Sequence, residues 1–371
     1  MIIEMLIKKD EFMSAIKENV KLCGVNKFIP ILDTIMCDVK GENLITTSTD
    51  NYSRVRCRTI LEQGVNEEFK FCVNGSDLLK SISIVSDDVF KMSYDENMNA
   101  LEIRQTSGKT KLATISATYF PEDPKQTDEI TVTFKTSDFV NMINSCKGHT
   151  TNDDMHPVMK GIYMNLSENR LEYCATNAHT LITDVILLST NVSEPKTIIA
   201  NASILDKFQN IFYRQENISV KISNDKIKIY DKNIILTSSL LDGKFPNFKV
   251  ISTKPDEMLE YEINREEFIK SVRNIQIVNN ATCITKIECG TDKILISSEN
   301  INFGKSCIEK VSADGSGEIV FGCNYKLLEN CLQTLKDDKI KMFAKTADRA
   351  IFFEDKSEPN KVVLMMPCFL N

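Results

Sequence analysis

The stretch Gly41-Glu42-Asn43-Leu44-Ile45-Thr46-Thr47-Ser48-Thr49-Asp50 reads as a turn, a short apolar strand and a Thr/Ser-rich end. The same layout returns in Ser167-Glu168-Asn169-Arg170-Leu171-Glu172-Tyr173-Cys174-Ala175-Thr176-Asn177. It returns again in Gly290-Thr291-Asp292-Lys293-Ile294-Leu295-Ile296-Ser297-Ser298-Glu299-Asn300. Leu44, Leu171 and Leu295 stand 127 and then 124 residues apart. A second landmark keeps that phase: Asn74, Asn201 and Asn324, separated by 127 and 123 residues, each close an apolar strand and open a helical pattern. Asn, or the Ser two places on (Ser76, Ser203), suits a helix start because its side-chain oxygen satisfies an orphan backbone N–H. A third landmark, Phe120-Pro121, Phe245-Pro246 and Met366-Pro367, closes each copy. The chain is therefore expected to hold three diverged repeats, residues 1–128, 129–254 and 255–371, with boundaries near Asp128 and Pro255 in polar, proline-bearing connections.

Each repeat reads as strand, helix, several strands, helix, several strands, with two helices and about eight strands. Segments such as Lys226-Ile227-Lys228-Ile229-Tyr230 alternate apolar and polar residues, as a sheet with one wet face requires. The strands are short and hairpin-linked, so the expected class is α+β with antiparallel sheets. An apolar content of 42% and a charged content of 26% are those of a globular protein. No run approaches the roughly 20 unbroken apolar residues of a membrane span, and Met1-Ile2-Ile3-Glu4 lacks the layout of a secretory signal. The cysteines are scattered singly, without a C-x-x-C pair, and behave as small core residues in a reducing compartment. A cytoplasmic protein with no membrane partner is expected.

Net charge is −7, which by itself argues against nucleic acid. Net charge does not say where the charges sit, however. On the first helix, Phe12, Met13, Ile16 and Val20 make an apolar stripe, with Lys17 and Lys21 beside it. On the corresponding helix of the third repeat, Phe268, Ile269, Val272 and Ile275 are the stripe, flanked by Lys270 and Arg273. Lys80 and Lys207 both stand six residues after their Asn landmark. Lys27, Lys147, Arg214, Lys326 and Lys336 fall on or near these helices. A single such face is ordinarily solvated surface. Recurrence at matching offsets instead favours electrostatic contact with a phosphate backbone, without sequence preference.

Nothing points to catalysis. His149, His156 and His179 are the histidines, and no P-loop, G-x-G-x-x-G, G-x-S-x-G or H-E-x-x-H pattern is present. Asp153-Asp154-Met155-His156 reads as a polar loop rather than a metal cluster. No catalytic residue, metal or cofactor is expected.

Four stretches carry a resemblance to a family. Asp242-Gly243-Lys244-Phe245-Pro246-Asn247-Phe248, after a Ser-Ser-Leu-Leu strand, resembles the Asp-Gly-Arg/Lys-Phe-Pro-Asp/Asn-Tyr/Phe segment of bacterial DNA polymerase III β sliding clamps. Ala175-Thr176-Asn177-Ala178-His179-Thr180-Leu181 resembles that family's Ala-Thr-Asp-Gly-His-Arg-Leu. Val362-Val363-Leu364-Met365-Met366-Pro367-Cys368-Phe369-Leu370 is similar to its Val-Met-Pro-Met-Arg-Leu ending, and Phe28-Ile29-Pro30-Ile31-Leu32 to its Leu-Pro-Ile-Leu. The resemblance covers essentially the whole chain, in order.

The resemblance implies three clamp domains per chain and a head-to-tail homodimer that forms a six-domain ring. Basic helices would line the hole and face double-stranded DNA; the residues this places there are Lys17, Lys21, Lys27, Lys80, Lys147, Lys207, Lys270 and Arg273. An ATP-driven clamp loader would open the ring, which would tether the replicative DNA polymerase. A partner-peptide pocket would be walled by Met159, Thr176, Ala178, His179, Thr180, Leu181, Pro246, Ile251, Asn324, Leu327, Leu364, Met366 and Cys368. Thr110 and Leu112 would meet Ile277 and Val278 of the second copy at the dimer interface. Several positions depart from the family pattern. Ala178-His179-Thr180 replaces Gly-His-Arg, Cys368-Phe369 replaces Met-Arg, Asn371 lengthens the tail, and Pro157-Val158 stands where some members carry a tyrosine pair. A shifted peptide preference is expected from these. The alternative is an interaction protein of the same fold that does not encircle DNA, a reading the acidic balance favours.

Overall fold

A computed structural model describes residues 2–25, 28–123, 129–278, 283–300 and 303–370. Lys27, Asp128 and Asn371, singled out above, lie outside the described residues. The first repeat holds β1 (Ile2–Lys8), α1 (Lys9–Val20), β2 (Thr34–Lys40), β3 (Asn43–Thr49), β4 (Ser53–Gln63), β5 (Phe69–Asn74), α2 (Gly75–Ser83), β6 (Val89–Asp95), β7 (Ala100–Gln105) and β8 (Gly108–Ser116). The middle repeat holds β9 (Ile130–Lys135), α3 (Thr136–Lys147), β10 (Gly161–Thr176), β11 (Thr180–Asn201), α4 (Ala202–Phe208), β12 (Asn217–Ile222), β13 (Lys226–Tyr230), β14 (Ile234–Ser239) and a one-turn α5 (Lys249–Ser252). The third holds β15 (Leu259–Asn264), α6 (Arg265–Ile275), β16 (Ile284–Cys289), β17 (Lys293–Asn300), β18 (Lys305–Gly315), β19 (Ile319–Asn324), α7 (Tyr325–Gln333), β20 (Lys339–Ala344), β21 (Ile351–Asp355) and β22 (Val362–Met365).

The fold is α+β with antiparallel pairing throughout the described ladders. The expectation of about eight strands per repeat fails in the middle one. There β10 and β11 run 16 and 22 residues as one long hairpin, covering lengths that break into separate strands in the first and third repeats. The register of the two long strands shifts on either side of Glu168, which adopts φ 49°, and pairing resumes beyond it.

Two compact units result: Met1–Ser137 with Lys207–Leu240, and Asp138–Asp206 with Leu241–Asn371. The first carries one sheet in the order β1-β6-β7-β8-β5-β2-β3-β4-β14-β13-β12-β9. Its middle seam is β4 against β14, from Ile234↔Cys57 to Ser238↔Ser53. The second unit carries β10-β11-β22-β21-β20-β15-β18-β17-β16-β19, seamed by Thr180↔Met365 through Thr183↔Val362. The strands of the middle repeat are thus shared, one set extending the sheet of the first repeat and the other that of the third.

The helices seat as their stripes dictate. Phe12 and Ile16 are fully buried in the core formed with Ile35, Leu44, Phe71 and Phe90, and Met13 and Val20 pack against it. Phe268, Ile269, Val272 and Ile275 are likewise buried. Each such side chain contributes on the order of 1.5–3 kcal/mol by leaving water. All three Asn landmarks cap: the Asn74 side chain accepts from Asp77 N–H at 3.0 Å, Asn201 from Ile204 at 3.2 Å and Asn324 from Lys326 at 3.0 Å. Most cysteines are buried, and desolvation pushes the Cys289 thiol up to about 12.

Candidate partner groove and nucleic-acid interface

The turn joining β10 to β11 is held by an unusual density of polar contacts. Asn177 Oδ1 accepts backbone N–H from His179 (3.0 Å) and Thr180 (2.7 Å) and the Thr180 hydroxyl (3.1 Å). The Thr176 hydroxyl donates to the Thr180 carbonyl at 2.7 Å. Between them Ala178 sits at φ +70°, the left-handed region that costs an L-residue about 1–2 kcal/mol. Below the turn, His149 is fully buried after the end of α3, with Nδ1 2.9 Å from Thr180 Oγ1. Since the threonine proton is committed to Asn177, the hydroxyl accepts, and His149 must carry its hydrogen on Nδ1. Its Nε2 is then a buried lone pair without a partner among the described residues. Burial lowers the His149 pKa to about 4, so the ring is neutral.

Two cavities lie in the same compact unit as this turn. One, of about 400 Å³, is lined by Thr150, Thr151, Asn152, Asp153, His156, Met159, Asn177, Ala178 and His179. In its wall His156 Nδ1 meets Asp153 Oδ2 at 2.9 Å, and the Met155 N–H, then His156, hold the Asp153 carboxyl below its usual range. The other, of about 760 Å³, is lined by Val250, Ile251, Thr253, Pro255, Met258, Lys345, Thr346, Asp348, Arg349, Ala350, Phe352 and Met366. One hydrogen bond links their walls: Met366 N–H, of the larger, donates to the His179 carbonyl, of the smaller, at 2.7 Å.

The thirteen pocket residues expected from sequence distribute accordingly. Met159, Ala178 and His179 line the first cavity, and Ile251 and Met366 the second. Leu181 and Leu364 are buried beneath, in a cluster with Phe245, Phe248, Phe343 and Phe352. Thr176 and Thr180 are buried fasteners of the turn, and Pro246 is half-buried between Phe245 and Phe248. Cys368 pairs with Gly322, its N–H donating to that carbonyl at 2.8 Å. Asn324 caps α7 and Leu327 is half-buried on it; neither lines either cavity.

The expected channel cations fall into two groups. Lys17, Lys80, Lys207 and Lys270 are exposed on their helices, with no carboxylate within 4 Å among the described residues. Lys21, Lys147 and Arg273 are engaged, and Lys27 lies outside the described residues. The Lys21 ammonium lies 2.6 Å from Glu18, donates to the Lys207 carbonyl at 3.1 Å and sits over the Phe208 ring at 5.1 Å. Lys147 pairs with Asp206 at 3.1 Å, and Arg273 with Glu329 at 2.8 Å.

Known proteins place this architecture. Residues 3–124 match the family model for the DNA polymerase III beta subunit, N-terminal domain, and residues 133–247 that for its central domain. Together these matches span roughly two-thirds of the chain. The chain belongs to the DNA polymerase III beta subunit family. The beta sliding clamp of Rickettsia felis is 23% identical over 359 residues, covering 91% of this chain and 92% of that protein. The beta sliding clamp of Staphylococcus aureus strain Mu50 is 20% identical and covers 98% of both. The crystal structure of the Bacillus subtilis DNA polymerase sliding clamp superposes with a TM-score of 0.92 over 99% of each chain at 18% identity, a likeness of fold.

Within this beta-subunit fold, the residues expected at a dimer interface differ in exposure. Thr110 and Leu112 lie on the part of β8 that pairs with β7; Leu112 also packs on the core. Ile277 is 73% exposed, whereas its neighbour Val278 is 2% exposed. Phe303 and Ile308, which the sequence reading missed, are exposed on and beside β18, against which the 276–278 turn packs. Also missed was the β20–β21 hairpin, residues 345–350, as a wall of the larger cavity. Its polar sequence Lys345-Thr346-Ala347-Asp348-Arg349 has the signature of any surface turn, so no local signal marks it.

Proposed function

We propose that the chain is a non-catalytic DNA sliding clamp. Its three domains, residues 1–128, 129–254 and 255–371, make half of a ring that a second copy completes head to tail. The ring encircles double-stranded DNA without sequence preference, and a clamp loader opens it. The single observation that carries this reading is family membership through two tandem domain models along a chain whose fold matches clamps at full length. Exposed Lys17, Lys80, Lys207 and Lys270 supply cationic contacts of the kind that suffice for a topologically held duplex. Ile277, with Phe303 and Ile308, offers the apolar surface for the second copy, and Val278 supports it from below. The two cavities at the β10–β11 turn receive apolar peptide segments of the replicative polymerase and other partners, anchored on Ile251 and Met366.

The test is retention on nicked circular DNA after loading, followed by linearisation. A clamp stays on the circle and is released from the linear form. Equal retention on both would sink encirclement and favour a clamp-fold scaffold, the reading that the −7 net charge supports.

A further inference from the structure

A small cavity of about 60 Å³ opens on one face of the first unit's sheet, over the seam between β4 and β14. Strand register builds it from two cross-strand rows. Arg54, Thr237 and Lys228 are paired across β4, β14 and β13, and Arg56, Ile235 and Tyr230 form the next row on the same face. The row between them, Val55, Leu236 and Ile229, is buried on the opposite face. Arg54 is only 8% exposed. Its Nη2 donates to the Pro121 and Glu122 carbonyls at 2.7 and 3.1 Å, and its guanidinium lies over the Phe120 ring at 5.7 Å. All three partners are neutral, and no carboxylate stands within 4 Å of Arg54 among the described residues. Burial, with Arg56 alongside, holds the Arg54 pKa below its ordinary value although Asp123 acts the other way. Arg56 reaches the Asp123 carboxylate only at 3.7 Å, beyond hydrogen-bond distance. Lys228 shares the Glu129 carboxylate with Lys221, at 3.3 and 3.5 Å. Arg54, Arg56, Lys221 and Lys228 thus face Asp123 and Glu129, four cations against two carboxylates, and two positive charges stand uncompensated.

We propose that this cavity binds a phosphate group, held by Arg54, Arg56 and Lys228. A volume of about 60 Å³ has room for about four waters, the number of oxygens in one tetrahedral oxyanion. A phosphate dianion also matches the two uncompensated charges, whereas a carboxylate would leave one of them. Arg54 is already fixed by the two carbonyls through Nη2, and its Nε and Nη1 donate to no described residue. A guanidinium held in place beforehand loses little freedom when it takes an oxyanion. Arg56 adds a second planar fork and Lys228 a point charge from across the seam. Thr237, between Arg54 and Lys228 in its row, offers a hydroxyl. Asp123 is the carboxylate in the lining, and it opposes an anion there. Inorganic phosphate and the terminal phosphate of a nucleotide share this chemistry.

The experiment titrates the full chain with inorganic phosphate and, separately, with adenosine monophosphate, by calorimetry at constant ionic strength set with chloride. The expected result is millimolar binding of at least one of them. Arg56→Ala and Lys228→Ala are each expected to bind about tenfold more weakly, through loss of a charge-assisted hydrogen bond. Asp123→Asn is expected to bind roughly threefold tighter or more, because the carboxylate that opposes the ligand is gone. A cluster that serves only to hold the 121–123 segment predicts no such gain, and misfolding cannot produce one. Tighter binding of inorganic phosphate identifies the free ion as the ligand, and tighter binding of the monophosphate identifies the nucleotide; each outcome supports the site. Binding of neither ligand, an affinity unchanged in both alanine variants, or no gain in Asp123→Asn overturns it.

Discussion

Ala178 and His149 show how single residues set the shape of the β10–β11 turn. A left-handed backbone at Ala178, φ +70°, is a conformation that glycine adopts without penalty. Relief of about 1–2 kcal/mol of strain, less the roughly 0.5–1 kcal/mol that a glycine adds to unfolded-chain entropy, leaves a net gain. Ala178→Gly is expected to stabilise the chain by up to about 1 kcal/mol, read as a raised urea midpoint at unchanged slope. For His149 the sign follows from burial. Its folded pKa, about 4, lies below the ordinary histidine value, so the unfolded chain binds more protons in between. Its contribution is complete above about pH 6.5 and is lost as pH falls toward 4, up to about 3 kcal/mol in all. His149→Asn retains a donor toward Thr180 without a titrating ring. Its stability should fall less between pH 7 and pH 5 than that of the unaltered chain, measured by urea unfolding at both pH values.

At the scale of elements, the helices divide their cations by partner rather than by position. Lys17 and Lys21 are one turn apart, yet Lys17 is solvated while Lys21 staples the end of α1 to the last turn of α4 and the Phe208 ring. Arg273 is similarly held by Glu329 of α7, which also accepts from Gln276 at 2.7 Å. Substituting Lys17, Lys80, Lys207 or Lys270 by Ala is expected to lower the slope of log affinity for duplex DNA against log salt by up to roughly 0.9 each. Lys21→Ala and Arg273→Ala should shift that slope less and the melting temperature more, because they remove packing and paired charge. DNA binding titrated at several salt concentrations beside a thermal melt distinguishes the two sets.

For the molecule as a whole, two sheets bind the repeats into two units, and the proposed ring adds a second chain. Ile277 at 73% exposure can accept a charge without loss of the fold; Val278 at 2% cannot. Ile277→Glu is expected to give a folded particle with the mass of one chain, by light scattering with circular dichroism. Val278→Glu should instead unfold, since a buried unpaired carboxylate costs several kcal/mol. A dimer that persisted in Ile277→Glu would move the interface elsewhere.

The features legible in the linear chain are those governed by neighbours within one turn or one strand. The Asn74, Asn201 and Asn324 caps and the Phe12 and Phe268 stripes depend on spacings of two to four residues, and each lies where its spacing places it. Tertiary structure alone decided what depends on distant partners. It set β4 beside β14, joined β10 and β11 into one long hairpin, and split the middle repeat between two units. It took Lys21 to a carbonyl 186 residues away, buried Val278 beside an exposed Ile277, and set Arg349 on the wall of an apolar cavity. Local backbone hydrogen bonding and side-chain periodicity are written in sequence order. Burial and charge pairing follow from which surfaces meet, and distance along the chain carries no record of that.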